Sequence, residues 1–322
     1  MLAVYAASQS MGDPLAGLVV GDLPEPEVPH GWTLVTMKAA SLNHHDLWSL
    51  MGVGLPSERL PMILGCDGAG VTEDGREVIV HSVVASQGWS GDETLDPRRT
   101  ILSELHPGTF SERVAIPTSN LVDKPQGMSW EVAATLPTAW LTAYRMLFNG
   151  AGLSPGSLVL VQGAGGGVAT ACIQLGVAAG LRMWVTSRNE DKRGQALALG
   201  AEAAFDSGER LPEKVDAVME TVGAATWSHS VNVLRPGGTI VISGATSGDA
   251  PTRAELTKIF FRQLRVVGST MGNRHELERL TQLVTRRGIR PQIDEVMPLG
   301  EARRGFERMA SGDTFGKIVL TP

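Results

Sequence analysis

Cysteine is scarce. The 322-residue chain has two, Cys66 and Cys172, and no CxxC pair. That excludes a disulfide-framed scaffold and points to a reducing, cytoplasmic setting. Aromatic residues are also few, at 5%, which disfavours an aromatic-rich binding surface. Positive charge is not in excess: the formal net charge is −6. Such a chain has no overall pull towards nucleic acid or an anionic membrane. The local group Arg286, Arg287 and Arg290 reads as a solvated helix end. The first residues, MLAVYAASQSMGD, lack a basic segment followed by a long apolar one, so no signal peptide is expected. One uncharged run, Leu158 to Leu181, is long enough to suggest a membrane span. It holds six glycines and begins strand-like, so it reads as a buried strand followed by a buried helix.

Glycine is abundant, at 38 residues, and hydrophobic residues make up 43%. A chain of this length and composition suits two domains with tight turns. Up to about residue 125 the runs LAVYAA, LVVGDL, TLVTMKA and EVIVHSVVA are short, β-branched and separated by turn residues. The stretch 86–109 is polar and reads as an excursion. Beyond Pro125 strands and helices alternate: LVLVQ, GGVATACIQLGVAAG, RMWVT, EDKRGQALALG, VDAVME, ATWSHSVNVL, GTIVISG, TRAELTKIFFRQ and LRVVGST. Repeated β–α–β units with apolar strands predict a parallel sheet covered on both faces. From about residue 273 two amphipathic helices, HELERLTQLVTRRG and EARRGFERMASG, lead to a last strand, KIVL.

The strongest local signal is VLVQGAGGGVATACIQLG. A strand ends at Gln162, and Gly163, Ala164, Gly165, Gly166, Gly167 and Val168 lead into a helix. Glycines permit the turn and let backbone N–H groups approach a pyrophosphate, while the helix N-terminus adds positive dipole. The strict GxGxxG spacing fails at Val168; a spacing one residue longer fits Gly163, Gly166 and Ala169. The alternative is a tightly packed turn with no ligand. At the end of the second strand an acid would signal NAD. Here stand Ser187 and Arg188, with Lys192 one turn on, a set suited to a 2′-phosphate and hence to NADP(H).

Several ordered blocks then resemble the medium-chain dehydrogenase/reductase superfamily, in particular its zinc-independent, quinone-oxidoreductase-like branch. They are NHHDLWSLMG, PMILGCDGAG, GTFSERVAIP, AATLPTAWLTAYR, VLVQGAGGGVA, LRPGGTIVISGATSG, LRVVGSTMGN and FGKIVLTP. The resemblance implies an α/β protein: a GroES-like, β-rich catalytic domain over 1–125, completed by 273–322, and a Rossmann domain over 126–272. It implies a substrate cleft between the domains and a homodimer. Zinc-dependent relatives carry Cys where Asn43 stands, His–Glu where Cys66–Asp67 stands, and Cys or Asp near Pro137. The lobe 86–109 holds no cysteine. Neither family zinc site is therefore expected, and no metal. A separate site built on His44, His45 and Cys66 is the minor alternative.

The same resemblance implies roles for individual residues. Asn43 would lie near the nicotinamide ribose and substrate carbonyl. His45 falls where relatives place a hydroxyl proton relay, and a histidine can act as a general acid; a packed structural role is the alternative. His44 falls at a phosphate-binding position, and Asp46 reads as a structural hydrogen-bonder. Trp48 and Tyr144 would line the substrate cleft or pack in the core. Thr138, Thr221, Val222, Gly244, Ala245, Thr246, Ser269, Thr270, Met271, Phe315 and Lys317 would contact the cofactor. The implied activity is zinc-free hydride transfer from NADPH to a small quinone or α,β-unsaturated carbonyl. Alternatives are an enoyl-thioester reductase, a zinc-free alcohol or aldehyde dehydrogenase, and a non-catalytic, crystallin-like NADPH binder.

Overall fold

The computed structural model describes residues 1–322. The chain divides into two units, Met1–Ala139 with Gly272–Pro322, and Trp140–Met271. The first is built on a seven-stranded sheet. Its path runs Leu121–Asp123, Glu77–Val80, Asp67–Thr72, Trp32–Ser41, Lys317–Thr321 and Ile293–Pro298, with Arg113–Pro117 also paired to Trp32–Ser41. A three-stranded sheet joins Leu18–Asp22, Leu2–Ala6 and Met62–Ile63. Val4, Leu18 and Leu320 from these strands join Leu50 and Phe306 from helices and Leu42, Leu64 and Phe110 from connecting segments in one core. Phe110 and Phe306 meet edge to face with ring centres 6.2 Å apart. Each such side chain contributes about 1.5–3 kcal/mol on burial. The C-terminal strand runs antiparallel to Trp32–Ser41, with Val319 opposite Ser41. Leu42 N–H donates to the Ile318 carbonyl at 3.0 Å. This register carries Lys317 alongside Asn43.

The boundary between units falls at Ala139, not near Pro125. The Trp130–Thr135 helix stays with the first unit because small Ala133 and Ala134 are fully buried there. The Ser41 hydroxyl oxygen also lies 3.0 Å from the Ala134 carbonyl. Several short strands escape sequence reading, among them Thr100–Ile101, which pairs with Val83–Val84, Ala203–Phe205, which edges the second sheet, and Ile293–Pro298, which runs beside the C-terminal strand. They are too short or too polar to stand out by alternation.

The second unit is a six-stranded parallel sheet. Its order is Ala203–Phe205, Arg182–Thr186, Leu158–Gln162, Val215–Glu220, Leu234–Ile242 and Arg265–Gly268. In sequence order that is 3-2-1-4-5-6, the Rossmann arrangement. The uncharged run resolves into the Leu158–Gln162 strand and the Gly167–Ala178 helix. No helix is long and apolar enough to cross a membrane.

Candidate active site

The NHHD stretch begins a short helix, His44–Leu50. Asp46 Oδ2 accepts from Asn43 N–H at 2.8 Å, and Oδ1 accepts from Gly65 N–H at 3.1 Å. Asp46 thus ties the helix start to the segment that leads through Cys66 into the Asp67–Thr72 strand. It is fully buried, and burial pushes its carboxyl up to about 6, against the opposing charge of His45. Its role is structural, as its position suggested.

Asn43, Asp67 and Lys317 form a buried cluster. Asp67 Oδ2 accepts from Ser41 Oγ at 2.9 Å, Asn43 Nδ2 at 2.8 Å and Lys317 Nζ at 3.1 Å. Lys317 Nζ also donates to the Leu42 carbonyl at 2.5 Å and to Asn43 Oδ1 at 2.6 Å. Its three protons therefore have three acceptors inside the first unit. Asn43 Nδ2 further approaches the Ser41 carbonyl at 3.3 Å and Cys66 Sγ at 3.6 Å. Sequence reading assigned Asn43 to the chemistry and Lys317 to the cofactor. The structure turns the carboxamide and the ammonium inward, because a buried carboxylate requires a partner charge and donors.

The same cluster decides how the family's zinc would fit. The Asn43 carboxamide oxygen and Asp67 Oδ2 both receive the Lys317 ammonium. Cys66 is fully buried; burial, then the charges of Asp46 and Asp67, push its thiol well above the usual range. Its sulfur lies 3.5 Å from Thr138 Oγ1. Pro137 offers no donor. Zinc requires deprotonated thiolates, imidazoles or free carboxylates in a tetrahedron. The residues at these positions do not fit it. Ligand atoms of His45, Asp46 and Cys66 lie within 4.8 Å of one another, but both Asp46 oxygens already hold backbone N–H groups.

His45 has a partner that sequence reading missed. Its Nε2 lies 3.2 Å from Glu104 Oε1. Glu104 Oε2 accepts from Thr100 Oγ1 at 3.1 Å and Ile101 N–H at 3.0 Å. Gly54 leaves room for this carboxylate, since a Cβ there would stand 2.7 Å from Oε1. Burial lowers the His45 pKa, but the Glu104 hydrogen bond and the charges of Asp46, Glu104 and Asp67 outweigh it and raise the value. Burial disfavours the Glu104 carboxylate, yet the bonds from His45 and Ile101 hold its pKa below the ordinary range. His45 Nδ1 is buried without a partner, which leaves the Nε2–Glu104 contact as the hydrogen bond of the ring. His44 and Trp48 are exposed.

In the second unit the glycine turn has the expected form. Gly163 has φ +85°, a conformation that favours glycine. Gly166 precedes the helix with open space where a Cβ would be, and Gly167 begins it. Ala164 and Gly165 are buried; Val168 is half-buried. At the next strand end Ser187 Oγ accepts from Asn189 N–H at 3.2 Å, and Arg193 Nη1 donates to the Ser187 carbonyl at 2.6 Å. Arg188 is exposed, and half-buried Lys192 lies in the first turn of the following helix. Arg193 was not singled out by sequence; it fixes the backbone that carries Arg188.

The loops after the fourth and fifth strands in sequence order are knitted together. Ser247 N–H donates to the Val222 carbonyl at 2.7 Å, and Thr246 N–H to the Thr221 carbonyl at 3.3 Å. Gly244 lies close enough to Thr221 that a Cβ would stand 3.1 Å from its carbonyl oxygen. Ala245 is half-buried. Ser269 N–H donates to the Ile242 carbonyl at 2.8 Å, Thr270 is exposed, and Met271 is buried with φ +48°. Thr138 and Phe315 belong to the first unit, where Phe315 N–H donates to Asp294 Oδ1 at 3.1 Å. Tyr144 belongs to the second, edge-on to Phe148 with centres 4.9 Å apart.

Comparison with known proteins agrees with this architecture. Residues 29–126 match the alcohol dehydrogenase GroES-like domain, and residues 167–286 match the zinc-binding dehydrogenase family. A solved structure described as an NAD-dependent alcohol dehydrogenase is 34% identical, covers 100% of both chains and superposes with a TM-score of 0.92. The crotonyl-CoA reductase of Streptomyces avermitilis is 29% identical over 96% of this chain and 84% of its own length. An acryloyl-coenzyme A reductase of Sulfurisphaera tokodaii is 27% identical over 96% of this chain and 98% of its own. The chain belongs to the medium-chain dehydrogenase/reductase superfamily and is an oxidoreductase.

Proposed function

We propose that the protein reduces an α,β-unsaturated thioester, transferring hydride from NADPH without zinc. The observation that carries the reading is the Lys317 ammonium on Asn43 Oδ1 and Asp67 Oδ2, which supplies a cation of the protein's own at the family's metal position. Without that Lewis acid a simple carbonyl is hard to polarise. A conjugated thioester needs less help, because charge spreads from the β-carbon to the carbonyl oxygen as hydride arrives. The names of the two coenzyme A reductases support a thioester over the quinone first suggested by the sequence blocks. The reaction balances as hydride to the β-carbon, one proton to the α-carbon and NADP⁺ released. The His45–Glu104 pair is the proton reservoir of this reading. Replacing His45 by Phe lowers turnover and flattens its pH dependence between about 5 and 8.

Ser187 and exposed Arg188, standing at the strand end where an acid would signal NAD, support NADPH over NADH. The solved alcohol dehydrogenase described as NAD-dependent favours a second reading, zinc-free alcohol oxidation. An NADPH-oxidation screen over crotonyl-CoA, quinones and aldehydes, with alcohol-dependent NADP⁺ reduction alongside, separates the two. We also propose a homodimer. The Arg265–Gly268 strand is an open sheet edge, and exposed Leu256, Phe260 and Phe261 precede it on one short helix. A second copy of the chain covers such an edge by antiparallel pairing about a two-fold axis.

A further inference from the structure

Three strand ends of the second unit are joined by one chain of buried side chains. Thr186, Gln162 and Glu220 are the last residues of the Arg182–Thr186, Leu158–Gln162 and Val215–Glu220 strands. Thr186 Oγ1 donates to Gln162 Oε1 at 2.6 Å. Gln162 Nε2 donates to Ser230 Oγ at 2.9 Å, and Ser230 Oγ donates to Glu220 Oε2 at 2.6 Å. Gln162 Nε2 also lies 2.9 Å from His229 Nδ1. His229 Nε2 lies 2.8 Å from the Glu209 carbonyl, which can only accept, so Nδ1 is the acceptor for Gln162.

The chain has a direction, and Glu220 terminates it. Its carboxylate also accepts Val222 N–H at 2.8 Å, Gly223 N–H at 3.0 Å and the Thr226 hydroxyl at 2.9 Å from each oxygen. Every partner is a donor, so only an acceptor-only group satisfies the site. Glu220 is fully buried, and its partners are neutral backbone N–H groups and hydroxyls. The bonds it makes fix Val222 and Gly223. Gly223 in turn has φ +91°, and a Cβ there would stand 2.5 Å from the Gly248 carbonyl oxygen. One carboxylate therefore sets the loop after its own strand and, through it, the loop 243–248.

Topology assigns this end of the chain to one half of the cofactor. In a 3-2-1-4-5-6 sheet the pyrophosphate sits on the turn after the first strand, and the adenosine ribose at the end of the second. The other half of the dinucleotide then lies towards the fourth and fifth strands, where Glu220 acts. We propose that Glu220 is a positioning residue for the nicotinamide half of the dinucleotide, holding loops 221–223 and 243–248 in their binding form. The inference rests on the nucleotide-binding reading of the fold.

Calorimetry on the full chain separates the two. Wild type is titrated with NADPH and with adenosine 2′,5′-bisphosphate, which lacks the nicotinamide half. Failure of wild type to bind either overturns the nucleotide reading itself. Given wild-type binding, Glu220→Gln raises the NADPH Kd at least about tenfold and leaves the bisphosphate Kd within about twofold. Affinities that stay unchanged for both, or fall alike for both, overturn the proposal. Should Glu220→Gln not fold, Ser230→Ala, which removes one donor and keeps the carboxylate, is expected to show the same split at about threefold. Absence of that split likewise overturns the proposal.

Discussion

Lys317 Nζ lies 3.1 Å from Asp67 Oδ2, and the two side chains are 3% and 0% exposed. The pair joins residues 250 positions apart in the chain. The resemblance to zinc-dependent relatives implies metal ligands in this neighbourhood. Here an internal ammonium neutralises the carboxylate, and Asn43 bridges the two. The strand register that places Lys317 beside Leu42 and Asn43 thereby shapes the chemistry left to the site.

Removing the ammonium leaves a buried carboxylate unpaired. Lys317→Met is expected to cost about 3–5 kcal/mol, measured by urea unfolding. Adding Asp67→Asn to it should recover much of that loss. A single-variant cost below about 1 kcal/mol contradicts the pairing.

The His45–Glu104 pair predicts a pH-dependent cost. His45 has its folded value raised above 6.5, so its contribution is full below 6.5 and is lost as pH rises through the raised value. Glu104 has its value lowered below 4.5, so its contribution is present above 4.5 and is lost as pH falls through the lowered value. Between 4.5 and 6.5 both act. Glu104→Gln should cost about 1–2 kcal/mol near pH 6 and distinctly less at pH 9. Equal costs at the two pH values contradict the pairing.

Cofactor choice turns on Arg188. Wild type should bind NADPH more tightly than NADH. Arg188→Ala should raise the NADPH Kd about tenfold or more and leave NADH unchanged, erasing the preference. Equal affinities in the unmutated protein contradict this assignment.

The open edge predicts self-association. Sedimentation should give twice the 34.2 kDa chain mass. Phe261→Glu, at a residue 80% exposed in the single chain, should shift it towards one chain without unfolding it. A monomeric wild type contradicts the dimer.

What sequence reveals here follows from what backbone geometry imposes. A turn that needs φ +85° at Gly163 restricts residue type there, so the start of the glycine turn was legible. Apolar parallel strands declared the sheet, and amphipathic spacing marked the helix Arg274–Arg287. Partnerships were not legible. Glu104 meets His45 only because the 86–109 excursion folds back on the helix at 44–50, and nothing in its own neighbours marks it. Lys317 pairs with Asp67 through sheet register. Asn43 has the residue type of a catalytic donor, but register gives its carboxamide other work. The chain from Thr186 to Glu220 links residues whose spacing carries no pattern.

The most direct test uses NADPH deuterated at the transferred C4 position and crotonyl-CoA, with protein whose metal content has been measured. Mass spectrometry of the product should find one deuterium on the β-carbon and a solvent proton on the α-carbon, at a rate unchanged by a zinc chelator. No deuterium in the thioester product, or activity that follows bound zinc, would contradict a metal-free enoyl-thioester reductase.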